Sequence, residues 1–263
     1  MSSMTDRFRE LHLDGTFVLP NPWDIGSARI LASLGAPALA TTSSGLAATL
    51  GEFDQTLTFD QLLAHSEDLV AAIDVPLNLD SERCFGTTPA EVTANVARMG
   101  ETGAAGCSIE DYDPDSGSID SIELATERVA AAAAGAEASG MVLTARTENH
   151  LYGVDELDDT IARLVAFVGA GAEAVYAPGL VDPGHIKRVV DETGAPVNVL
   201  TFPGCPDVPA LAELGVRRVS TGGALLRRAH GALVEAGREL LGPGTLGFLD
   251  GVISPADLES AFD

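Results

Sequence analysis

Eight short β-like runs, separated by Ala-rich helical patterns, constrain this chain more than any single motif does. They are Thr16–Pro20, Pro37–Ser44, Pro76–Asp80, Gly106–Asp111, Met141–Thr147, Ala174–Pro178, Val197–Thr201 and Arg218–Thr221. The third, opened by Pro76, is a run too short for a helix and reads as a buried strand. Gly35 and Gly103 follow helical patterns as C-caps. Eight such repeats predict an α/β fold, a (β/α)8 TIM-type barrel forming one catalytic domain over residues 1–241. Residues 242–263 add extra C-terminal helices as a tail. An open doubly wound sheet is the rival, but it predicts a glycine fingerprint after the first strand, and none is there.

Composition narrows the function classes. The net charge of −24, from 39 acidic and 15 basic side chains, argues against nucleic acid and anionic membranes as partners. The N-terminus has no apolar h-region and no apolar run reaches membrane-spanning length, so a soluble, cytoplasmic protein is expected. Cys84, Cys107 and Cys205 are odd in number and form neither a metal-spaced cluster nor a disulfide framework. Lys187 is the only lysine and sits at an exposed helix start, which disfavours Schiff-base and pyridoxal phosphate chemistry. No nucleophile elbow, P-loop or dinucleotide fingerprint follows a strand.

A barrel places chemistry just past its strand C-termini. The third run ends in Asp80 and Glu82, and two acids one residue apart suit a hard divalent cation. Glu110 with Asp111 follows the fourth run, and Arg146 with Glu148 the fifth. Asn21, Trp23 and Asp24 follow the first, Ser44 and Gly45 the second; Asn198 lies in the seventh, and Thr221 ends the eighth. Arg146 is the natural clamp for a substrate carboxylate or phosphonate, which a guanidinium pairs bidentately. The alternative is a structural ion pair with Glu110 or Glu148. Asp80 could instead cap a helix, and Ser44-Gly45-Leu46 could be only a turn. The glycines of Ser220-Thr-Gly-Gly223 fit phosphate binding or tight packing equally. The histidines fall on helical, loop or surface-like segments.

The ordered set Pro20-Asn-x-Trp-Asp24, Ser44-Gly-Leu46, Leu50-Gly-Glu-Phe-Asp54, Asp80-x-Glu82, Ile109-Glu-Asp111 and Ala145-Arg-Thr147 resembles the isocitrate lyase/phosphoenolpyruvate mutase superfamily. Val197-Asn-Val-Leu200 and Arg218-Val-Ser-Thr-Gly-Gly223 continue the match in the same register. The resemblance implies a Mg²⁺-dependent barrel, with Mn²⁺ as an alternative ion. It implies action on small 2-oxo or 2-hydroxy carboxylates through an enolate-type pyruvate intermediate. Asp80, Glu82 and Glu110 resemble the metal acids, largely through water. Asp54 resembles the catalytic acid of the mobile loop after the second strand. Ser44, Gly45, Leu46 and Arg146 resemble the grip on the substrate carboxylate, with Asp80 and Asn198 beside it.

Two departures bear on the reaction. The lyases' Cys- and Lys-bearing loop after the fourth strand is here Asp113-Pro-Asp-Ser-Gly-Ser-Ile-Asp120. The mutases' gating-loop lysine is absent too, and Cys84 stands where the family usually has glycine. The reading that results is a Mg²⁺ lyase or hydrolase cleaving a C–C or C–P bond. The alternatives are a phosphoenolpyruvate mutase-type isomerase and a non-catalytic binder of 2-oxo acids. The family also implies a homo-oligomer, dimer or tetramer. The apolar spacing of Leu246, Phe248, Leu249, Val252, Ile253, Leu258 and Phe262 suits packing on a neighbouring subunit, the alternative being that the tail folds back on its own barrel.

Overall fold

A computed structural model describes residues 3–262; Met1, Ser2 and Asp263, which the expected domain limits include, lie outside the described residues. Its strands are β1 (Phe17–Leu19), β2 (Leu39–Ala40), β3 (Leu77–Leu79), β4 (Gly106–Glu110), β5 (Tyr112–Asp113), β6 (Ser118–Ile119), β7 (Val142–Arg146), β8 (Ala174–Tyr176), β9 (Val197–Leu200) and β10 (Arg218–Ser220). Helices are α1 (Met4–Glu10), α2 (Ile25–Ser33), α3 (Ser43–Thr49), α4 (Phe59–Ala72), α5 (Pro89–Glu101), α6 (Ile122–Glu137), α7 (Leu157–Gly169), α8 (Pro183–Thr193), α9 (Val208–Glu213), α10 (Ala224–Leu241) and α11 (Pro255–Phe262).

All eight expected runs join one sheet in the order β1-β10-β9-β8-β7-β4-β3-β2, with every pairing parallel. The remaining seam is drawn together by Ala40 N donating to Pro20 O at 3.1 Å. Asn21 staples it, its Nδ2 donating to Thr41 O at 2.7 Å while its Oδ1 accepts from the Thr221 and Gly222 amides. The result is a nearly closed (β/α)8 barrel.

Side chains alternate across each strand. Leu79, Ile109, Leu143, Val175, Val199 and Val219 join the large core under the helices. The opposite set faces the axis and is polar: Asn78, Ser108, Thr144, Asn198 and Arg218, with Asp80, Glu110 and Arg146 toward the C-terminal mouth. A barrel interior is usually filled by branched apolar residues, so this one is unusual.

Three elements differ from expectation. Helix α1 had no sequence forecast; it plugs the N-terminal mouth with Phe8, fully buried against Phe17, Ala38 and Val142. A Cβ on Gly106 would stand 2.8 Å from the Phe8 ring, so glycine there admits the plug. The polar segment after β4, expected to be a loop, folds as the β5–β6 hairpin, turning at Gly117 with φ 65°. Ser44-Gly45-Leu46, weighed as a turn, lies within helix α3, capped by Thr42.

Beyond α10 come a 3₁₀ turn (Gly247–Gly251) and α11. Within the chain α11 lies against α2, with Arg29 Nη1 donating to Phe262 O at 2.9 Å. Leu241, Leu246, Leu249, Val252 and Ile253 stay exposed nonetheless. No helix among the described residues is long and apolar enough to cross a membrane.

Candidate active site

Arg146 ends β7 and points into the mouth, where three carboxylates surround it. Nη1 pairs with Asp80 Oδ1 at 2.8 Å, Nη2 pairs with Glu110 Oε2, and Nε lies 2.7 Å from Glu148 Oε1. The Glu148 contact is a close ion pair without hydrogen-bond alignment. Parallel pairing brings the acids to it, since Glu110 is the register partner of Arg146 and β3 is the next strand over. Burial alone would depress the arginine pKa, but Glu110, Glu148 and Asp80 hold it well above its ordinary value. Burial raises both Glu110 and Glu148, with Arg146 opposing.

Asp54 and Asp80 meet across Ser43. The Ser43 hydroxyl is 3.0 Å from Asp54 Oδ1 and 3.1 Å from Asp80 Oδ2, and the Ser43 amide donates to Asp80 at 2.9 Å. One hydroxyl proton cannot serve both acids at once. Asp54 belongs to an exposed loop, but its carboxyl turns inward, and burial followed by Asp80 raises its pKa. A protonated Asp54 donating to Ser43, which donates to Asp80, satisfies all three groups.

Glu82 is 7% exposed and is pushed up to about 8 by burial, then by Asp80 and Glu110. Its Oε1 is buried with no partner. The loop that holds it is strained: Glu82, Cys84 and Phe85 all take positive φ, at 47°, 59° and 53°. Left-handed geometry at non-glycine residues costs of order 1–2 kcal/mol each and gathers where function demands a shape. Cys84 thus occupies a backbone conformation that glycine would take freely.

The mouth therefore brings together Asp54, Asp80, Glu82, Glu110 and Arg146 from the expected set. It adds Ser43, Glu148 and Gln55, whose Nε2 donates to Glu110 Oε1 at 2.8 Å. Glu148 stands two residues beyond Arg146 and Ser43 adjoins Ser44, whereas no sequence motif marks Gln55. The other expected residues lie apart from this cluster. Ser44 Oγ contacts Thr42 at 3.1 Å and faces Gly223. The Gly45 and Leu46 amides bond to Thr42 within their own turn, and the Leu46 side chain packs with Ala47 and Leu57. Asn198 sits deeper, donating to Ser220 Oγ and accepting from Arg218. At the rim, Tyr112 and Tyr152 stack with centroids 3.6 Å apart.

Five carboxylates against one guanidinium leave a formal charge of −4 when all are ionised (−5 + 1). No three His, Cys, Asp or Glu side chains among the described residues converge as direct ligands of one ion. Oxygen-only donors held apart, one of them an orphaned buried carboxylate oxygen, suit a hard divalent cation that retains its waters. The residues fit such an ion.

Comparison with known proteins follows the same line. The family profile "Phosphoenolpyruvate phosphomutase" matches residues 8–241. A crystal structure of a putative lyase/mutase from Burkholderia cenocepacia superposes with TM-score 0.93 at 44% identity, covering 97% of this chain and 94% of that one. Oxaloacetate acetylhydrolase in complex with its product oxalate superposes with TM-score 0.87 at 25% identity, covering 98% and 93%. An uncharacterized protein of Mycobacterium tuberculosis is 32% identical over 242 residues, 89% of this chain and 90% of its own. The chain belongs to the phosphoenolpyruvate phosphomutase family, within a superfamily of lyases and mutases.

Proposed function

We propose that this protein is a Mg²⁺-dependent lyase or hydrolase that cleaves a C–C or C–P bond of a small 2-oxo or 2-hydroxy carboxylate. The observation that carries the reading is the crowding of Asp54, Asp80, Glu82, Glu110 and Glu148 around the single guanidinium of Arg146. Acids serving only to neutralise an arginine would not outnumber it so heavily, because each added buried carboxylate costs desolvation.

Asp80, Glu82 and Glu110 would hold the ion, largely through water, and the ion would supply Lewis-acid stabilisation of charge developing on the 2-oxo oxygen. The chain's own residues do the rest. Arg146 receives and orients the substrate carboxylate, exchanging part of its contact with Asp80 or Glu148 for the ligand. When the C–C or C–P bond breaks, its electron pair would stay on the 2-oxo fragment, and Asp54, linked to the site through the Ser43 hydroxyl, is placed to give that carbon its one proton and be left ionised. Glu148 holds Arg146 at the mouth by charge, through the ion pair at Nε. A mutase reading is disfavoured because the gating-loop lysine that the resemblance implies is absent, and the sole lysine, Lys187, pairs with Asp191 along α8.

The oligomer is part of the same proposal. Leu246, Leu249, Val252 and Ile253 remain exposed although α11 folds against α2, so the tail offers an apolar face to a second copy. Light scattering at micromolar concentration should return a dimer or tetramer; a monomer refutes it.

The function is tested by assaying a panel of 2-oxo acids, oxaloacetate among them, with Mg²⁺ and with chelator. Mg²⁺-dependent formation of pyruvate or oxalate at substrate saturation is expected. Tight 2-oxo acid binding with no turnover across the panel would instead make the protein a binder.

A further inference from the structure

Below the acid layer, a second arginine enters the barrel without a matching acid. Arg218 of β10 is 3% exposed. Its Nε donates to Asn198 Oδ1 at 2.9 Å and its Nη2 to Thr144 Oγ1 at 3.0 Å. Its Nη1 lies 3.3 Å from His12 Nε2. Since His12 Nδ1 is 2.8 Å from the Phe8 carbonyl, Nδ1 carries the proton and Nε2 accepts. A guanidinium has five N–H donors, so three acceptors leave two unserved.

The charge is equally unmatched. No carboxylate among the described residues pairs with Arg218. Burial lowers its pKa to about 10, so it stays cationic at neutral pH. His12 brings no negative charge. A buried charge without a partner is costly enough that a counter-charge or solvent must meet it.

The space for one is present. A cavity of about 50 Å³ opens between Arg218 and Arg146, walled by Asn78, Ser108, Asn198 and Ser220. At roughly 10–15 Å³ per water it takes about three to five waters or one small anion. Asp80 is the one carboxylate on its wall, and Arg146 and Ser43 already engage it. Asn78 keeps its Nδ2 on Leu79 O at 3.3 Å, so the donors left for a ligand in the cavity are those of Arg218 and the hydroxyls of Ser108 and Ser220.

We infer that this cavity is an internal anion site in which Arg218 binds one small monoanion, a halide or a carboxylate group, beneath the acid layer. The site shares Asp80 and Arg146 with the mouth, but its cation is Arg218, which no residue proposed to hold the metal pairs with, so bromide binding there is read separately from turnover. It would persist in a protein without turnover.

Bromide-soaked crystals read with anomalous diffraction at the bromine edge test it. The expected result is a single internal peak within about 3.5 Å of the Arg218 guanidinium. Adding oxalate separates the sources: a retained peak marks a free inorganic ion, while replacement by carboxylate density marks a substrate group. Water alone at the site in both soaks overturns the inference. Arg218→Met removes the cation but endangers folding, so Asn198→Asp is the second variant. It places a carboxylate on Arg218 Nε and should weaken bromide binding at least tenfold while leaving the fold intact. Equal bromide occupancy in wild type and Asn198→Asp means an adventitious ion only and also overturns the inference.

Discussion

Arg146 and Arg218 point into the same barrel from β7 and β10, yet their company is opposite. Arg146, at the mouth, has three carboxylates against it and two more within the cluster. Arg218, deeper and drier, has an amide, a hydroxyl and an imidazole. If acids were placed to neutralise buried cations, the deeper arginine would hold them, because desolvation penalises its charge more. Instead the acids crowd where solvent and ligands arrive. Charge is thus separated along the barrel axis, with an excess of negative charge at the mouth and of positive charge below. Such a distribution is expensive to build, and ligands of complementary charge give the account of why it exists.

The largest predicted effect lies at the mouth. Arg146→Lys keeps the charge but loses the planar fork. Oxalate affinity should fall by about 2–5 kcal/mol, roughly 30- to several-thousand-fold. Calorimetry beside a thermal melt decides it: affinity within a few-fold of wild type, with a lowered midpoint, would make Arg146 scaffold alone and erase the contrast.

The two layers should also respond to acid with opposite sign. Glu82 has a folded pKa raised to about 8, from an unfolded value near 4.5, so the folded state binds the proton first. Stability then rises as pH falls from about 8 toward 4.5. His12 has a folded pKa depressed to about 3 by burial and then Arg218, against 6.5 unfolded. The unfolded state binds that proton first, so stability falls as pH drops from 6.5 toward about 3. Each slope is at most about 1.4 kcal/mol per pH unit. Thermal midpoints from pH 8 to 5 in chelator should show Glu82→Gln losing the gain and His12→Gln losing the decline. Identical profiles in all three proteins would refute both assignments.

How far these layers were legible before folding is itself instructive. Eight short β-like runs ending in polar residues revealed the barrel and its mouth, because strand repetition and the position of chemistry are both properties of the repeat. Asp80, Glu82, Glu110 and Arg146 were readable for that reason. Ser43, Gln55 and the pairing of His12 with Arg218 were not, since each depends on a contact between distant segments. Gln55 reaches Glu110 from a loop residue at φ 64°, and His12 is held inside by the Phe8 carbonyl and the Phe8 and Phe17 rings. Arg218 was visible in its strand, but its inward orientation follows from register.

The smallest effect is expected at Cys84. Cys84→Gly relieves a left-handed φ worth about 1–2 kcal/mol and loses a buried thiol worth about 1 kcal/mol, so the changes nearly cancel. A midpoint within about 3 °C of wild type is expected. A much larger fall would show that thiol packing against Ser108 O, 3.6 Å away, outweighs the backbone strain.

The central claim, that the acid layer exists to hold a divalent cation with a carboxylate ligand, is tested most directly at Asp80. This residue touches both Arg146 and Ser43, so it joins the arginine to the Asp54 side of the site. Isothermal titration of Mg²⁺, followed by oxalate, into wild type and Asp80→Ala is the measurement, with circular dichroism confirming the fold. The account predicts Mg²⁺-dependent oxalate binding in wild type and none in Asp80→Ala. Unchanged Mg²⁺ and oxalate affinities in the folded variant would contradict it.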